Sequence, residues 1–159
     1  MRALAVLAPL AVLILAACSR DETPDQPAPE PAGPETVLGE VNLEEPLRAL
    51  GTEPFWAVTI DGNGLVYSGV DRPEERAPNA GPQMAGTTAT WSGQTDQGRG
   101  IRVTLIETQC SDGMSDRTYP LTAVVKVGEE TLTGCAATTA AIMSSGESGP
   151  VVDPAQPAG

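Results

Sequence analysis

The feature that most restricts the fold of this chain is a hydrophobic period of two. In "IRVTLIE" (101–107), Ile101, Val103 and Leu105 alternate with Arg102 and Thr104. Alternation of this kind sends successive side chains to opposite faces of a strand. "YPLTAVVKV" (119–127) places Leu121, Ala123, Val125 and Val127 on one face, and "TTATWSG" (87–93) does the same with Ala89 and Trp91. "PFWAVTI" (54–60) and "LVYSGV" (65–70) are aromatic and β-branched and flank "DGNG" (61–64), whose residues suit a hairpin turn. "TLTGCAA" (131–137) returns after the tight turn "GEE" (128–130), while "QTDQGRG" (94–100) reads as a turn and "RPEERAPNAGPQMAG" (72–86) as a long loop. About six strands with turns between them predict an all-β fold, a small antiparallel meander or barrel. The one helical candidate is "LEEPLRALG" (43–51), one to two turns ending at Gly51.

The two ends read differently. Arg2 precedes an apolar run, Ala3 to Ala17, that is short against the roughly 20 residues a bilayer span needs. It ends in "LAAC" (15–18), which resembles the bacterial lipoprotein signal. That resemblance implies removal of residues 1–17 and a thioether-linked lipid on Cys18. Ser19, rather than an aspartate, follows, which implies the outer membrane, facing the periplasm. A lipoprotein cysteine carries several acyl chains, and two or more anchor a protein stably where one does not.

Residues 18–46 hold six prolines and eight carboxylates against one arginine. Such a segment buries too little apolar area to offset the entropy of ordering it and reads as a disordered tether. Residues 138–159 are small, polar and rich in Pro and Gly, and read as a disordered tail. A β domain over 47–137 remains. The whole chain has 21 acidic and 9 basic residues, no histidine and a net charge of −12. This balance argues against nucleic acid as a partner and is compatible with a cationic envelope protein.

With Cys18 assigned to lipid, Cys110 and Cys135 are the remaining thiols. Outside the inner membrane such a pair oxidises by default, and the domain is small enough to need the cross-link. A redox-active pair or a thiolate metal site is the alternative, but the chain has neither a Cys-x-x-Cys spacing nor a histidine to complete a zinc site. No metal and no cofactor is expected.

"CSDGMSDRTYP" (110–120) concentrates the polar chemistry. Asp112, Asp116, Arg117 and Tyr119 there form either a compact turn, held by local hydrogen bonds, an Asp–Arg pair and the disulfide, or a binding surface. Asp112, Ser115 and Asp116 could also furnish oxygens to calcium, although the EF-hand pattern is absent. Catalysis is disfavoured, because without histidine no Ser-His or Cys-His pair exists. "GTEPFW" (51–56) is the second candidate. Phe55 and Trp56 face opposite sides of a strand, so one enters the core; the other is either covered by the 72–86 loop, which leaves both buried, or exposed beside Glu53, where it would mark a binding surface. Trp56 and Glu53 therefore join the candidate binding residues.

"GTEPFWAVTIDG" (51–62), "CSDGMSDRTYPLTAVV" (110–125) and "LTGCA" (132–136), in this order, resemble a family of small bacterial envelope lipoproteins and membrane proteins. Members are sometimes joined to, or found near, META/HslJ-type domains. The resemblance spans Gly51 to Ala136 and implies the domain limits and the paired cysteines, but no activity. A looser likeness is to membrane-bound inhibitors of C-type lysozyme, small lipoproteins with a β-barrel and a disulfide. "YSGV" (67–70) and the acidity fit them, whereas their cysteine-aspartate start and full Ser-Gly-x-x-Tyr loop are missing. The expectation is a non-enzymatic, lipid-anchored envelope protein with a binding or structural role. Inhibition of a cationic hydrolase such as lysozyme is the alternative, and a calcium-binding or carboxylate-dependent enzymatic module the second alternative.

Overall fold

The computed structural model describes residues 36–154. In chain order the strands are β1 (Val37–Leu38), β2 (Val41–Asn42), β3 (Leu47–Thr52), β4 (Phe55–Asp61), β5 (Gly64–Gly69), β6 (Glu75–Ala77) and β7 (Gln83–Ala85). There follow β8 (Thr88–Gln94), β9 (Gly100–Ile106), β10 (Asp116–Thr118), β11 (Leu121–Val127), β12 (Glu130–Thr138), the helix α1 (Thr139–Ser144) and β13 (Ser148–Pro150). Nine strands make one antiparallel sheet in the order β6-β5-β4-β3-β12-β11-β9-β8-β7. The six strands expected from alternation are all present, and β3, β6 and β7 bring the sheet to nine rather than about six.

The expected helix over 43–51 is a correction. Residues 47–52 form β3, with Leu47, Ala49 and Gly51 buried and Arg48, Leu50 and Thr52 half-buried. Good helix formers lose here to pairing: β3 hydrogen-bonds β4 on one side and β12 on the other, and tertiary context outweighs intrinsic propensity.

The sheet curls on itself. Its inner face carries one core, including Trp56, Tyr67, Trp91, Val103, Leu121 and Val125. Two glycines make space for Trp56. A Cβ on Gly51 would come 2.6 Å from Trp56 Cε2, and one on Gly134 would come 2.9 Å from Trp56 Cζ2 and 2.8 Å from the Leu50 carbonyl carbon. Large side chains there would clash, so the indole lies across two bare strands.

The curl is fastened at the β6 edge. β7 covers only Thr88–Thr90 of β8, and β6 meets the chain just past the other end of β8. Asp96 N donates to Arg76 O at 2.8 Å, and Arg76 N donates to Asp96 Oδ1 at 3.1 Å. The side chain of Glu75 is nearly fully buried; it accepts from Thr95 Oγ1 at 2.9 Å and forms an ion pair with Arg99. Arg99 holds the Glu75 carboxyl below the usual range against the opposing effect of burial.

The limits of the domain extend beyond 47–137 on both sides. The part of the expected tether before residue 36 lies outside the described residues, as do Cys18 and the apolar run. Residues 36–46, however, form the β1–β2 hairpin, and Leu38, Val41 and Leu43 enter the core at 2%, 5% and 8% exposure. The expected disordered tail is also corrected. Thr138 caps α1, its Oγ1 accepting from Ala141 N at 3.1 Å and donating to Asp153 Oδ2 at 2.7 Å. β13 then pairs with β10 in parallel. Small residues are what allow this: Ala137 on the outer face of β12 meets Ala141, Ile142 and Val151 in a second, smaller core. Among the described residues no helix is long and apolar enough to cross a membrane.

Candidate functional site

The segment 110–120 is a closed clasp laid on the outer face of the sheet. Cys110 and Tyr119 bridge as an antiparallel pair, with N–H···O distances of 2.9 and 2.8 Å. The disulfide joins Cys110 to Cys135 of β12, with Cα atoms 5.5 Å apart. Cys135 faces outward into the second core, where Tyr119 packs with it. The expected pairing of these two cysteines is therefore present.

Asp112 organises the interior of the clasp. Its Oδ1 accepts from Met114 N at 3.0 Å and Ser115 N at 2.8 Å; its Oδ2 accepts from Ser115 Oγ at 2.8 Å and Tyr119 Oη at 3.3 Å. Gly113 takes the left-handed conformation the turn demands (φ 73°). Burial pushes the Asp112 carboxyl up, and the donated hydrogen bonds from Ser115, Met114 and Tyr119 outweigh it, so the group sits below the usual carboxylate range. Both oxygens are engaged by the clasp itself. The Asp112 main-chain carbonyl also accepts from Thr52 Oγ1 at 3.0 Å, which ties the clasp to the end of β3.

Arg117 departs from the expected Asp–Arg pair. Its Nε donates to Gly146 O at 2.7 Å and its Nη2 to Ser145 O at 3.4 Å. The guanidinium thus spans to the chain after α1 and is oriented by main-chain carbonyls. Asp116 is exposed and pairs through its backbone with Ser148. Tyr119 is buried at 2% and serves the second core.

The 51–56 turn sends the two aromatics to opposite sides, as expected of a strand, and the outer one is left uncovered rather than buried under the 72–86 loop. Trp56 is the buried one, at 5% exposure, so it cannot itself present a surface; Phe55 is the available one, at 55%. Glu53, before a cis Glu53–Pro54 bond, is exposed at the tip.

These parts bound two concavities. One, of about 330 Å³, lies between the clasp and the β3–β4 turn and includes Glu53, Asp112 and Met114. The other, of about 470 Å³, lies over the outer face of β3, β4 and β5 and includes Arg48, Leu50, Phe55, Val70 and Arg117. Val70 is 54% exposed and Met114 66%, so three large apolar side chains stand out around the same turn and clasp. Arg48 was not anticipated, because its segment reads as helix; in a strand register its outward direction follows from Leu47 and Ala49 facing inward. At the other concentration of charge, Arg72 forms an ion pair with Glu130 and approaches Tyr67 Oη at 3.4 Å. Arg72 lowers the Glu130 carboxyl. Together with Glu75–Arg99 this is a structural set, with each acid matched to a base.

No group of three or more His, Cys, Asp or Glu side chains among the described residues is placed to hold a metal ion. No protein-family model, curated protein or solved structure matches this chain.

Proposed function

We propose that this chain is a lipid-anchored cell-envelope protein, held to the membrane through Cys18, whose β domain binds a partner and catalyses nothing. The observation that carries this reading is the exposure of Phe55, Val70 and Met114 around the β3–β4 turn and the clasp. Phe55 and Val70 border one concavity and Met114 borders the next, with Thr52 lining both, and exposed apolar patches mark interaction sites where singly scattered side chains do not. They stand on rigid supports: the turn is bonded to the clasp through Thr52, and the clasp is cross-linked to β12. A preformed surface of this kind loses little entropy on binding. The likeness of 51–62, 110–125 and 132–136 to small envelope lipoproteins supports the address.

Inhibition of a cationic hydrolase such as lysozyme is the second reading, favoured by the net charge of −12. A turbidity assay of lysozyme action on cell walls separates it from the first. The calcium or carboxylate-dependent reading receives less support, because a metal ion or substrate would have to displace the donors already bound to Asp112.

The test uses a photo-crosslinking residue at position 55 in living cells, with the same residue at Lys126, an exposed position on β11, as reference. A discrete adduct at 55 and none at 126 is expected. Equal labelling at both, or none at either, refutes the binding surface. Incorporation of labelled palmitate that disappears in Cys18→Ala tests the anchor separately.

A further inference from the structure

The groove over β3, β4 and β5 departs from the charge of the molecule around it. The chain carries 21 acidic residues, yet none of the residues lining this groove is Asp or Glu, and two are arginines, Arg48 and Arg117. The ion pairs among the described residues go to Arg72, Arg76 and Arg99. Arg48 and Arg117 form none.

Each of the two is placed rather than merely present. Arg48 points outward from β3, between Thr59 of β4 and Ala137 of β12 in register, so both cross-strand neighbours are neutral. Arg117 is held by the carbonyls of Ser145 and Gly146 through Nη2 and Nε, which leaves Nη1 without a hydrogen-bond acceptor among the described residues. A guanidinium fixed this way presents its remaining N–H donors in a set direction and loses less entropy when it takes a carboxylate. Between and beside the arginines the surface is apolar: Leu50 and Ala57 on the sheet, Phe55 and Val70 at the rim. The concavity is broad and open rather than enclosed, a shape suited to a segment laid along the surface and not to a small molecule held in a pocket.

We infer that this groove binds a peptide segment of a partner protein that carries a carboxylate beside a large apolar side chain, the acid meeting Arg48 and Arg117 and the apolar group meeting Phe55 and Val70. The inference rests on the binding role proposed above and names the chemistry of its partner. The concavity that holds Arg102 and Lys126 is also free of acids, but it has no exposed large apolar side chain; the groove over β3, β4 and β5 joins two arginines to exposed Phe55 and Val70. The chain's own acidic stretch, 19–35, supplies carboxylates but no large apolar side chain, so it matches only half of the groove.

The test is selection of displayed random heptapeptides on the full chain. The expected result is enrichment of peptides that combine Asp or Glu with Phe, Leu, Ile or Trp. The Arg48→Glu variant should weaken those peptides by about tenfold or more, as expected for a lost charge-assisted bond. Phe55→Ser should weaken them as well. Neither position holds an ion pair or is fully buried, so both variants should melt within a few degrees of wild type; Arg117→Lys, which keeps the charge but not the fork, gives a third measurement. Enrichment of basic or uncharged peptides that depends on Phe55 would sink the proposed chemistry and leave the binding surface standing. No enrichment over bare support would sink both. A dimer that Arg48→Glu dissociates would assign the groove to a second copy of the chain and overturn the inference.

Discussion

Removal of the cross-link in Cys110→Ala/Cys135→Ala should have a large and calculable effect. The bonded residues are 25 apart in sequence, and in the chain-entropy account a loop of that length contributes about 3.5 kcal/mol by restricting the unfolded state. Unfolding entropy near the midpoint is about 2.1 cal/mol/K per residue. Over roughly 120 ordered residues this gives about 0.25 kcal/mol/K, so the melting temperature should fall by about 14 °C. The assay is calorimetry or circular dichroism of wild type and double variant, each with and without reductant. Wild type in reductant should melt with the double variant, and the double variant should not respond to reductant. A fall of less than about 3 °C would refute the reasoning. It would mean that the unfolded chain is already restricted between residues 110 and 135 without the sulfurs, so that the cross-link removes little further entropy.

Three further outcomes follow from packing and charge. Gly134→Ala should destabilise by about 3 kcal/mol or prevent folding, because its Cβ would press on Leu50 and Trp56; urea unfolding measures it, and a loss within about 0.5 kcal/mol contradicts the placement of the indole. Glu75→Ala should cost about 1–3 kcal/mol by leaving Arg99 and Thr95 without their acceptor, with Arg99 part-exposed and so partly recovered by water; an unchanged urea midpoint would remove the β6 fastening from the account. The carboxyls of Glu75, Asp112 and Glu130 lie below their ordinary values in the folded protein. Their contribution is therefore present above the unfolded values and is lost as pH falls through the folded ones, so the melting temperature should hold from neutral pH to about 5 and drop below about 4. A melting temperature that rises on acidification contradicts those pairings.

Much of the sheet was legible because its strands keep a strict period of two. Val103 between Arg102 and Thr104, or Val125 between Val124 and Lys126, leaves one choice of inner face. β3 was not legible: Leu47-Arg48-Ala49-Leu50 after Glu44 and Glu45 suits a helix equally, and the decision comes from β4 and β12, distant in the chain. β6 and β7 are three residues each, too short to show a period. Residues 138–150 have the composition of a tail, yet alanines let α1 approach the outer face of β12 closely, and Thr138 caps it. At the site, Asp112 as the centre of a turn followed from Asp-Gly and its neighbouring serines. The partners of Arg117 did not, since main-chain carbonyls almost thirty residues away leave no sequence signal. Nor did the groove, whose arginines come from β3 and β10.

The central claim is an exported, acylated protein whose oxidised clasp braces a binding surface. Peptide mapping by mass spectrometry, on protein taken from its native envelope and alkylated before any reduction, tests it most directly. The account predicts a peptide pair linked through Cys110 and Cys135, no alkylation at either, and a chain that begins at a lipid-bearing Cys18. Alkylation of both Cys110 and Cys135, on a chain that still begins at Met1, would contradict it.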